Sequence, residues 1–357
     1  MPQKFDLSFD QGSLARRGAI TLAALLAYCV GSWIVLPGID ASALIGPASP
    51  SGLASKIGRL SILALGIVPM LSALVLVEIA QMACPPLRRW AGATASNGRS
   101  LDGWVIVLTL AIAGYQANGV AVALEGIGAL VPTPGLAFRA GVIGTLVAGS
   151  AFVVWLTSLV TRHGLGSGFL LLLAAPLLMA LPSLLPSQIL AWGDESQLTI
   201  PLTLAAFLAA ASAVVAAARI SAQPDGKGQL LWPVLIAYTL APWLLVPLLP
   251  QFSSEAFLNA LEAMKPGQPW RVAILPALTL VFYFLRARSL AQASSTPDEG
   301  VRWLPALLVA FAVVVSELIM VWLPAPLALD GRNVVVLVLF ALAIIEGLGL
   351  RHSSAAA

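Results

Sequence analysis

The chain has 357 residues, 59% of them hydrophobic and only 10% charged, with a mean hydropathy of +0.94. Globular domains run at about 45–50% apolar and about 25% charged, so a soluble fold with a wetted surface is excluded and lipid is the main solvent. The net charge of +3 is spread too thinly for a nucleic-acid surface, and two cysteines with two histidines support neither a disulfide framework nor a metal cluster.

The apolar stretches are continuous rather than alternating, which argues for helices and against a β-barrel. Taken in order, runs long enough to cross a bilayer core of ~30 Å fall at 18–37, 62–84, 103–123, 140–161, 168–189, 198–219, 229–249, 270–286, 303–323 and 332–350. The first follows Arg16-Arg17 and precedes an Ala41-Ser42-Ala43 sequence of signal-peptidase type. Its near-20-residue apolar length exceeds the usual ~7–15 of a cleaved signal, so a retained span is expected. The fourth carries small residues at Ala140, Gly144 and Ala148, a spacing that permits close helix approach. The fifth is interrupted by Pro176, Pro182 and Pro186, and the seventh by Pro233, Pro242 and Pro247.

With the N-terminus in the cytoplasm, Lys4, Arg16, Arg17, Arg88, Arg89, Arg99, Arg162, Arg219, Lys227, Arg286, Arg288, Arg302 and Arg351 all fall on that side. Only Lys56, Arg59, Arg139, Lys265, Arg271 and Arg332 fall on the other, an asymmetry of the positive-inside kind that puts both termini in the cytoplasm. Three carboxylates, Glu78, Glu317 and Glu346, lie within spans. Intramembrane acids are costly and are functional candidates by default. With Gln81, Gln116 and Asn118 they outline a proton or substrate path, which keeps a secondary transporter as the alternative class. Glu346 sits near a span end, however, and Glu78 and Glu317 have no paired base at membrane depth in the sequence, so a buried, protonated or helix-bridging carboxylate is the milder reading. Enzyme chemistry lacks its inventory: His163 and His352 both sit at span edges, and no catalytic residue or cofactor is expected.

Several segments carry a resemblance in order along the chain. Arg16-Arg17-Gly18-Ala19-Ile20-Thr21 opens the first span, and Pro37-Gly38-Ile39-Asp40 closes it. Arg59-Leu60-Ser61-Ile62-Leu63-Ala64-Leu65-Gly66-Ile67-Val68-Pro69-Met70 opens the second, and Cys84-Pro85-Pro86-Leu87-Arg88-Arg89 leaves it. Thr161-Arg162-His163-Gly164-Leu165-Gly166-Ser167-Gly168, Leu181-Pro182-Ser183 and Lys265-Pro266-Gly267-Gln268-Pro269 follow. The whole resembles the SecY family of protein-translocating channels, with Pro37, Gly38, Ile39, Asp40, Gly66, Pro69, Gly166 and Gly168 as the motif positions. Ser167 replaces the family's asparagine, and the usually long, basic loops between spans six and seven and between eight and nine shrink to 220–228 and 287–302.

The resemblance implies an all-α, polytopic fold of ten spans in two pseudo-symmetric halves, 18–190 and 198–350, with a cytoplasmic segment at 1–17 and a cytoplasmic tail at 351–357. It implies an apolar pore ring of Ile67, Leu71, Phe169, Leu173, Ile236, Leu240 and Val336, and a lateral gate between spans two and seven. Residues 46–60 occupy the place of the plug, with Gly46, Gly52, Leu53, Ile57 and Leu60 as its marked positions and a helix expected from Leu53 to Leu65; a plain external loop is the other reading. Implied partners are an unfolded secretory or membrane polypeptide, SecE-like and SecG-like small subunits, and the bilayer of a bacterial inner membrane. The short loops argue against docking of SecA or a ribosome, and a non-conducting SecY-like paralogue is the third functional class.

Overall fold

The computed structural model describes residues 11–40, 60–126, 131–191, 199–221, 226–245, 267–293, 303–322 and 330–348. Eleven helices run through them: α1 Gln11–Trp33, α2 Val68–Ala83, α3 Pro85–Ala93, α4 Ala95–Glu125, α5 Leu136–His163, α6 Gly168–Ala191, α7 Thr199–Ile220, α8 Gly226–Leu245, α9 Pro269–Ala293, α10 Trp303–Trp322 and α11 Gly331–Gly347. Each of the ten expected spans coincides with one of them, and α3 is the addition. Six of these helices are long and apolar enough to cross a membrane, or seven if α2 and α3, bent by 109° at Cys84, count as one broken span. Gly168–Met179 in α6 and Leu230–Ala241 in α8 are shorter apolar helices. On α10, Trp303 (53% exposed) and Trp322 (78%) mark the two ends. At ~1.5 Å per residue they lie about 28 Å apart, the separation at which two interfacial indoles flank a hydrocarbon core.

Three local expectations give way. The second span does not start as a helix at 62: Ser61 bridges antiparallel to Val35, and residues 62–67 are turns. Leu36 N–H donates to the Leu60 carbonyl and Ile62 N–H to the Ile34 carbonyl, both at 2.9 Å. Backbone pairing with the exit of α1 and a left-handed Gly66 (φ +50°) delay the helix until Val68, where Pro69 fits the first turn. The helix expected to reach Leu65 is therefore absent from 60 onward. Second, α6 continues through Pro176, Pro182 and Pro186, and α8 through Pro233 and Pro242. Proline is tolerated in membrane helices because neighbouring groups satisfy the carbonyls it frees. Third, Ala140, Gly144 and Ala148 are exposed, and the glycine of close approach is Gly149 on another face of α5, where a Cβ would overlap the Ile62 carbonyl.

The chain divides into two compact units. The first comprises 1–73, 103–175 and 343–357. Its core gathers Leu36, Ala117, Ala121, Leu124, Val131, Phe138, Val142 and Leu146 around the turn that leaves α1. In α4 the buried residues Val105, Thr109, Ala113, Ala117 and Ala121 recur every fourth position, a single narrow stripe. The second unit comprises 74–102 and 176–342, and in it α7, α8, α9 and α10 pack side by side while α3 lies against α9.

Candidate functional site

In the first unit the family-like glycines sit where a neighbouring group packs too closely to leave room for a side chain. Gly38 turns the chain at φ +81°, with the Phe138 ring 3.0 Å from where its Cβ would stand. The Gly164–Gly168 loop threads between α1, α5 and the end of α11. Thr21 Oγ1 accepts from Leu165 N–H at 2.9 Å and Arg17 Nε donates to the Gly164 carbonyl at 3.0 Å. Gly168 N–H donates to Thr161 Oγ1 at 3.1 Å. Gly166, at φ +74°, would place a Cβ 3.2 Å from the Ala343 carbonyl. Segments about 145 residues apart in sequence, Arg17-Thr21 and Gly164-Leu165, thus form one hydrogen-bonded corner. Pro69 is buried, Pro37, Gly38 and Asp40 are exposed and Ile39 is half-buried.

The expected pore residues are aliphatic or aromatic and none is exposed. Ile67 and Leu71 in the first unit, and Ile236 and Val336 in the second, are buried. Phe169, Leu173 and Leu240 are half-buried. Of the expected plug positions, Leu60 is half-buried in the turn before Ser61, and Gly46, Gly52, Leu53 and Ile57 lie outside the described residues.

Sequence reading did not identify the bases that pair with the buried acids of the second unit. Glu78, taken as a carboxylate without a base, accepts on Oε1 from Arg88 Nη2 at 2.8 Å and from Arg286 Nε at 2.6 Å. All three side chains are at most 10% exposed. The same corner carries a hydrogen bond from Ser289 Oγ to the Gln81 carbonyl at 3.1 Å. Arg89 donates from Nε and Nη2 to the Gln292 carbonyl at 3.0 and 2.6 Å. Arg286, Ser289 and Gln292 recur every third residue, so one face of α9 is stapled to the α2–α3 bend.

Glu317, fully buried, has its own base. Arg271 donates Nε to Oε2 at 2.8 Å and Nη2 to Oε1 at 3.2 Å, and the Tyr238 hydroxyl donates to Oε1 at 2.6 Å. Arg271 also faces the Tyr238 ring at 5.6 Å and the Asp330 carboxylate at 3.8 Å. Asp330 Oδ1 caps α11 by accepting from Asn333 N–H at 2.9 Å, and burial pushes its carboxyl pKa upward. Arg271 and Arg286 are fifteen residues apart on α9, about 22 Å along its axis, so one helix is pinned by buried ion pairs near both ends. Arg88, Arg271 and Arg286, counted from sequence only toward the charge asymmetry of the two faces, are also buried structural partners. Burial of a charge is tolerable only where it is paired and hydrogen-bonded, and each of these is. The helix-bridging reading of Glu78 and Glu317 therefore holds. Among the described residues no group of three or more His, Cys, Asp or Glu is placed to hold a metal ion.

The SecY family model matches residues 61–223. The protein translocase subunit SecY of Rickettsia bellii (strain RML369-C) is 32% identical over 193 residues, covering 50% of this chain and 45% of that protein. Over those residues the chain is similar to SecY proteins. SecY of Escherichia coli (strain K12) is 31% identical over 186 residues, 48% of this chain and 42% of its own length, so the match spans less than half the length of either relative. Two solved structures extend the SecY fold over the remainder. "The structure of a protein conducting channel" superposes with a TM-score of 0.56 at 16% identity, covering 95% of this chain and 93% of that one. "Sec61 in the Canine ribosome-channel complex from the endoplasmic reticulum" does so with a TM-score of 0.56 at 15% identity and the same coverage. The protein is thus an all-α, multi-pass membrane protein of SecY fold.

Proposed function

We propose that the protein is the pore subunit of a polypeptide-conducting channel in a bacterial inner membrane, passing unfolded chains across or into the bilayer. The observation that carries this reading is the corner where the family-like segments meet: Arg17, Thr21 and the Gly164–Gly168 loop are hydrogen-bonded as a unit, which is what a preserved scaffold requires. Ile67, Leu71, Phe169, Leu173, Ile236, Leu240 and Val336 form the apolar constriction, which holds back ions by dewetting. The 46–60 segment serves as plug, and α2 and α8 flank the lateral gate between the halves 18–190 and 198–350. Both termini face the cytoplasm, and a SecE-like helix, with or without a SecG-like one, braces the halves.

No residue is assigned a catalytic role. The pairing of Glu78 and Glu317 with arginines counts against the transporter alternative, since a proton carrier must be free to load and unload. The test is resting conductance in proteoliposomes. Ile67→Asn with Leu71→Asn should raise ion leak by stabilising water in the constriction, whereas Leu208→Asn, at a position 62% exposed on the outside of α7, should not. Equal leak from the two proteins would overturn the pore assignment.

A further inference from the structure

The two buried ion networks differ in kind. Glu78 is held by two guanidinium groups, whereas Glu317 is held by one guanidinium and by a neutral, removable group, the Tyr238 hydroxyl contributed by α8. That hydroxyl sits 2.6 Å from Glu317 Oε1, a separation typical of a charge-assisted O–H···O⁻ bond. Its seat is shaped by a glycine. A Cβ on Gly331, the first residue of α11, would stand 2.6 Å from the Tyr238 oxygen and 2.9 Å from the Val313 Cα of α10. The ring is backed by the Arg271 guanidinium at 5.6 Å. When Tyr238 withdraws, Glu317 keeps both Arg271 bonds and Arg271 keeps Asp330, so no buried charge is orphaned. Removing Arg271 instead would strip Glu317 of its cation, which is far more costly. Tyr238 can therefore leave at modest cost. Ile236 and Leu240 lie about 200° around the helix from it, at ~100° per residue, so the face keyed into this socket is opposite the face assigned to the pore.

We propose that Tyr238 is the positioning residue of α8: its hydroxyl, seated between Glu317 and the side-chain-free Gly331, keys α8 to α9, α10 and the start of α11, and its withdrawal frees α8 to move. The functional weight of that movement rests on the channel reading above, in which α8 borders the gate. The key itself does not.

The test is hydrogen exchange of the full chain in lipid nanodiscs, read helix by helix. Tyr238→Phe keeps the ring and deletes the key. Since a hydrogen bond to a charged group contributes about 1.5–3 kcal/mol net and 1.4 kcal/mol is a factor of ten, amide exchange in α8 should rise about tenfold or more, with α9 and α10 unchanged. Alanine at Gly331 should raise α8 exchange too, but by less when added to Tyr238→Phe than when introduced alone, because its clash with the hydroxyl is already gone. A uniform rise across α8, α9 and α10 would reduce Tyr238 to ordinary packing and overturn the proposal, as would no rise in α8. Resting conductance separates the two readings. An α8-confined rise accompanied by higher leak supports both, and the same rise with unchanged conductance supports the key while counting against α8 as a pore element.

Discussion

Glu78→Ala removes the single carboxylate on which Arg88 and Arg286 converge, at 2.8 and 2.6 Å, with all three side chains no more than 10% exposed. Two guanidinium groups would be left facing one another in an environment that water barely reaches. Breaking one buried pair by deleting a partner costs about 3–5 kcal/mol, and here two cations lose the same counter-charge, so the upper half of that range is expected. Glu78→Gln leaves an acceptor in place but no charge, so it should fall between wild type and Glu78→Ala. The measurement is unfolding free energy in bicelles, with trypsin sensitivity of the α3–α4 connection as a local readout, since α3 is held to α9 through this corner. Stability of Glu78→Ala within about 1 kcal/mol of wild type would refute the ion-pair account and reopen the proton or substrate path as a role for Glu78.

Two further expectations concern sites at which sequence and structure disagree. Gly149→Ala should destabilise by about 1–3 kcal/mol, because its Cβ would meet the Ile62 carbonyl, whereas Gly144→Ala, with nothing within 4 Å, should be neutral or slightly stabilising through helix propensity. Equal effects at the two positions in the same unfolding assay would contradict the packing of α5. Arg286 is buried on Glu78, so of these two arginines of α9 it is the exposed Arg288 that is open to an acidic motor or ribosomal RNA. Docking through so few cations should be weak and salt-sensitive, and the protein should fail to replace SecY in a SecY-depleted strain. Full rescue at normal expression would show that the short loops still engage the usual motors.

Class and approximate span positions were legible because they depend on local composition: a run of about 20 apolar residues has few alternatives to a membrane helix, whatever surrounds it. Gly38, Gly66 and Gly166 were singled out only as motif positions of the family resemblance; the structure supplies the physical reason for glycine there, since all three adopt positive φ, where side chains are strained. What the sequence could not determine is anything decided by partners far along the chain. Glu78 and Arg286 are 208 residues apart, and Glu317 and Arg271 are 46 apart, so neither helical periodicity nor flanking charge announces that they meet. Loop cations and intramembrane acids were therefore counted separately, when tertiary packing makes them each other's counter-ions. The same holds for the start of α2, set by backbone pairing with the exit of α1, and for the choice of Gly149 over Gly144. A glycine's spacing shows that close approach is possible, but only the position of the neighbouring backbone decides which glycine is used.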